Sequence, residues 1–78
     1  MKYGRIAAMK EELVEHLRRD PFVPFRIMLT SGQGYDVTDP QLVALGESLI
    51  HVMFPKSDRY AILRLNQIAS MELLETVK

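Results

Sequence analysis

The segment Arg19-Asp20-Pro21-Phe22-Val23-Pro24-Phe25-Arg26-Ile27-Met28-Leu29 constrains this chain more than any other. Prolines at positions 21 and 24 cannot continue a helix, and each pushes the residue before it towards extended backbone. Upstream, Ile6, Met9, Leu13 and Leu17 recur at helical spacing, with Val14 widening the stripe. Lys10, Glu11, Glu12, Glu15, Arg18 and Arg19 fill the other face. The pattern predicts an amphipathic helix over about residues 4–19, stopped at Asp20-Pro21.

From Phe25 the period changes to two. Phe25, Ile27 and Leu29 point one way, and Arg26, Met28 and Thr30 the other. Ser31-Gly32-Gln33-Gly34 reads as a hairpin turn, returning along Tyr35 to Thr38. Asp39-Pro40 breaks that strand, and Gln41–Leu45 reads as a third. Leu49–Phe54, apolar apart from His51, suits a central strand. After the turn Pro55-Lys56-Ser57-Asp58, Tyr60–Leu65 reads as another strand. The tail Ile68–Leu74 reads as the last strand, although Leu65, Ile68, Met71 and Leu74 also fit a helical period.

The expected fold is α+β, a single domain over residues 1–78, with a β meander over about residues 25–74. An N-terminal helix followed by five or six short strands closes most simply into a strongly bent antiparallel sheet or a small SH3-like or Sm-like barrel. A chain of 78 residues is marginal as an isolated monomer. It has no cysteine for a disulfide or thiolate metal site, and only His16 and His51 as imidazoles. With 47% hydrophobic residues, self-association is the supplement that remains.

Pro21-Phe22-x-Pro24-Phe25-Arg26-Ile27-x-Leu29-x-x-Gly32-x-x-Tyr35-x-Val37-x-x-Pro40, followed by Val43-Ala44-Leu45-Gly46, resembles a group of small bacterial proteins. They share a short leading helix, the double Pro-Phe signature and a Gly-containing hairpin. The resemblance spans most of residues 12–74 and implies a fold but no activity. Ile27-x-Leu29-x-x-Gly32 is more loosely similar to the first strand and turn of Sm-like RNA-binding proteins. Val37 stands where their bend glycine falls, and Asp39-Pro40-Gln41-Leu42 replaces their Asp-x-x-apolar-Asn signature.

Ten basic and ten acidic side chains cancel, whereas a dedicated nucleic-acid binder generally carries a basic excess or stripe. No apolar run exceeds four residues, far short of a membrane span. The N-terminal residues lack the order of a signal peptide, so the expected location is cytoplasmic.

Each candidate chemical group has a plainer reading. His51 fits a half-buried sheet residue, and His16, near Glu12 and Glu15, fits a helix surface. Asp36 and Asp39 fit turn chemistry better than a carboxylate pair. The glycine-rich turn lacks the length, lysine and following helix of a phosphate loop. No enzyme activity and no cofactor or metal is expected. Met28, opposite Phe25, Ile27 and Leu29, is a candidate interaction residue unless the helix covers its face; Leu42, Leu49 or Met53 would join it, depending on register. The expected function is therefore a small binding domain acting through protein–protein contacts, as a homo-oligomer or with another protein. The alternative is an Sm-like binder of single-stranded RNA, using Arg59, Tyr60 and Arg64 with Lys56 nearby.

Overall fold

Helix α1 (Lys2–Arg18) opens the computed structural model, which describes residues 2–74, with side chains from Ala7 onwards. Leu13 and His16 bury one stripe of α1, flanked by the half-buried Met9 and Leu17. Arg18 lies in the last turn, where positive charge suits the helix dipole. The Asp20–Pro24 corner then turns the chain out of helical geometry. Phe22 sits edge-on to Phe25 with ring centroids 6.1 Å apart.

Six strands follow: β1 (Phe25–Leu29), β2 (Gly34–Val37), β3 (Val43–Leu45), β4 (Leu49–Phe54), β5 (Arg59–Arg64) and β6 (Ile68–Leu73). Hydrogen bonding divides them into two antiparallel sheets of three strands, ordered β2-β1-β6 and β3-β4-β5. The final segment is thus a strand, reached through a 3-10 turn at Leu65–Gln67. That turn ties the sheets together. Leu65 N donates to Ser48 O before β4 at 2.9 Å, and Thr30 N donates to Gln67 O after β1 at 2.8 Å. Helix α1 packs against the same turn.

The β1–β2 hairpin depends on Gly32, whose φ of +95° lies in the left-handed region that favours glycine. Its N–H donates to Leu29 O at 2.9 Å, and Leu29 N donates to Gln33 O at 2.8 Å. The third strand is shorter than expected. Asp39 accepts from Gln41 N at 2.9 Å and starts a 3-10 turn over Pro40–Leu42, leaving only Val43–Leu45 extended. Strand β4 is central in its sheet, as its apolar run implies.

The core lies between the sheets. Phe25, Ile27, Val37 and Ile68 face inward from the first sheet, and Ile50, Val52 and Leu63 from the second. Leu13 of α1 and Leu65 of the tying turn complete it. Each buried side chain of this size contributes about 1.5–3 kcal/mol relative to exposure.

His16 was expected on the helix surface and is instead core: its residue is 8% exposed. Three positions after Leu13, it shares the buried stripe. Its imidazole stacks on Phe25, with ring centroids 4.7 Å apart and planes inclined by 23°.

Candidate protein-interaction face

Alternation and register give the second sheet an outer face. Opposite the buried Ile50 and Val52, β4 turns Leu49, His51 and Met53 outward. Strand β5 sets Arg64, Ile62 and Tyr60 directly beside them, and β3 adds Ala44 beside His51. His51 is exposed rather than half-buried.

Large apolar side chains concentrate here. Met53 is 49% exposed, Ile62 51% and Tyr60 68%. Together they form a stripe, Met53–Tyr60 and His51–Ile62, bounded at one end by Arg64. Exposed apolar surface this concentrated on a small chain marks a contact site more often than a neutral surface. A shallow depression of about 330 Å³ indents the same face, bordered by Ala44, Gly46, Leu49 and His51.

A second concavity separates β2 from β4. It has a volume of about 450 Å³ and is walled by Tyr35, Val37, Leu42, Val52 and Phe54. Tyr35 and Phe54 stack across it with centroids 6.0 Å apart. Lys56 and Asp36 stand at its rim, and Met53 borders both this cleft and the outer face.

Met28 lies elsewhere. It does point away from Phe25 and Ile27, and α1 packs on the Phe25 side, not over Met28. Its own surroundings are polar. Arg26, Asp36, Ser70 and Glu72 share that face by alternation. Arg26 donates through Nε to Asp36 at 2.6 Å and through Nη2 at 3.3 Å. That hydrogen bond and the Asp36 charge raise the Arg26 pKa further above its ordinary value. The Met28 side chain folds over Gly34, where a Cβ would lie 2.9 Å from its sulfur, and is half-buried. Leu42 and Leu49 do not join Met28, since they belong to the other half of the fold.

The three residues of the nucleic-acid patch separate by parity. Tyr60 and Arg64 share the outer face, whereas Arg59 pairs with Phe54 and alternates to the other side of β5. Sequence reasoning missed Ile62 as part of a surface, although its parity with Tyr60 and Arg64 carried the signal. Among the described residues, no group of three or more His, Asp or Glu side chains converges as a metal site would require. No helix among them is long and apolar enough to cross a membrane. Comparison with protein families, with curated proteins and with solved structures gives no match to this chain.

Proposed function

We propose that this chain is a small interaction domain, acting through protein–protein contacts as a homo-oligomer and not as an enzyme. The observation that supports this reading is the exposed stripe of Met53, Tyr60 and Ile62 on the outer face of β4 and β5. Met28, the earlier candidate, is secondary, because Arg26 and Asp36 keep its surroundings polar. Formal neutrality favours such contacts, since copies of a neutral chain do not repel one another at long range.

Sedimentation equilibrium at micromolar concentration tests the proposal. The expected mass is at least twice that of the 9.0 kDa chain. A monomer throughout the range would overturn it.

A second reading rests on one observation: Tyr60, the most exposed of the large apolar residues, shares its face with Arg64. An aromatic beside a guanidinium is the smallest platform on which a base can stack. In that reading the two sheets act as an open relative of an SH3-like or Sm-like barrel.

A further inference from the structure

We propose that a second copy of this chain pairs with the free edge of β5, antiparallel about a two-fold axis through Ile62. The two β3-β4-β5 sheets then join into one sheet of six strands. This rests on the reading of the chain as a self-associating interaction domain, and supplies its contact.

Among the described residues the two sheets have four edge strands, and they are unequally protected. Strand β3 is three residues long and enters from the 3-10 turn at Pro40–Leu42. Strand β2 has four residues, and its Asp36 is held by Arg26. Strand β6 is longer, but its pairing with β1 shifts register between Met28 and Leu29, and it carries Glu72. Such short lengths, irregularities and charges are the usual means of keeping an edge from recruiting another strand.

Strand β5 has none of these protections along its middle. Its six residues, Arg59–Arg64, contain no proline, glycine or carboxylate, and they pair with β4 in unbroken register. Charge is confined to the two ends. On its other side β5 has no hydrogen-bonded neighbour among the described residues, so alternate N–H and C=O groups along that edge are left for a further strand.

The occupant is identified by self-complementarity. Antiparallel pairing centred on Ile62 sets it against the partner's Ile62, and Ala61 against the partner's Leu63. Tyr60 then faces the partner's Arg64, and the symmetry makes that contact twice. Directly opposed side chains on one face are close enough for an aromatic ring to take a guanidinium over it. No arginine opposes an arginine. Neighbouring registers lose this match: centring on Ala61 sets Arg59 against the partner's inward Leu63, and centring on Leu63 leaves Tyr60 beyond the pairing. The stripe of Met53, Tyr60 and Ile62 continues across the axis. Because the axis uses both β5 edges, the assembly closes at two copies.

Cysteine crosslinking reads the register directly, since the chain has no cysteine of its own. Four variants suffice: Ile62→Cys, Tyr60→Cys, Arg64→Cys and Met53→Cys, each checked for native circular dichroism. Across the axis the Cα atoms at position 62 would lie about 5.5 Å apart, within disulfide range. Those at position 53 would lie three strand spacings apart and four residues out of line, about 20 Å in all. Under mild oxidation Ile62→Cys should form a covalent dimer at least about 100-fold faster than Met53→Cys, as a preformed pair does relative to chance encounter. An equimolar mixture of Tyr60→Cys and Arg64→Cys should give the mixed dimer, and neither alone should crosslink. That mixture tests the same register if Ile62→Cys does not fold.

Failure takes two separable forms. A chain that sediments as an oligomer but gives neither crosslink overturns the β5 pairing and leaves the interaction reading standing. A chain that sediments as a monomer and gives neither crosslink overturns both.

Discussion

The imidazole of His16 lies against the ring of Phe25, 4.7 Å between centroids, and this stack joins the last turn of α1 to the first strand of the sheet. His16 Nδ1 is buried and has no hydrogen-bond partner among the described residues. A buried polar atom in that condition costs about 1–3 kcal/mol, whereas stacking returns about 0.5–1.5 kcal/mol. His16 therefore contributes shape more than polarity.

His16→Leu should accordingly leave the fold as stable as before, or more stable by up to about 2 kcal/mol. Urea denaturation at neutral pH measures the difference. A loss above about 1 kcal/mol would show that the imidazole is held by an interaction stronger than its ring contact.

Phe25 is fully buried where α1, the Pro-Phe corner and β1 meet. Phe25→Ala should cost about 3–5 kcal/mol, as other large-to-small core substitutions do. On a domain of this size that is enough to unfold a substantial fraction at moderate temperature. A loss below about 1 kcal/mol would place Phe25 at the periphery of the folding unit.

This corner was legible because proline acts locally, and because an alternating strand leaves its parity in the sequence. Phe25 and Ile27 follow from that parity; the same parity separates Arg59 from Tyr60, which grouping them as one patch overlooked. His16 was not legible, since its residue type masked a position that helical spacing had already placed beside Leu13. The division into two sheets was hidden for another reason. The turn that makes it, Leu65–Gln67, contains no glycine or proline, and its bonds to Ser48 and Thr30 span distant parts of the chain. The Met53–Ile62 stripe depends likewise on the β4–β5 register, which no single segment encodes.

Gly34 and Met28 should behave as a coupled pair, because a Cβ at position 34 would come within 2.9 Å of the Met28 sulfur. Gly34 opens β2, and glycine in a strand costs up to roughly 0.5–1 kcal/mol in backbone entropy, so alanine would be favoured if the space were free. In the wild-type background Gly34→Ala should gain nothing, since Met28 must move. In a Met28→Ala background the same change should stabilise by about 0.5–1 kcal/mol. A double-mutant cycle in urea gives the coupling, and additivity within about 0.3 kcal/mol would show that the methionine adjusts freely.

The charge arrangement of β5 sets what single-stranded RNA can do with this protein. Arg64 and Tyr60 share the outer face, Arg59 turns to the other, and the chain as a whole is neutral. Even with both arginines on phosphates, releasing two counterions gives a salt exponent of about −1.4. Affinity should then fall about 7-fold between roughly 50 and 200 mM salt, from a value already weak. Fluorescence anisotropy with short RNA and DNA oligomers measures this, and Tyr60→Ala should change it little. Tight binding that survives the higher salt and disappears in Tyr60→Ala would mean that base stacking, not strand pairing, is what the exposed face of β5 is built for.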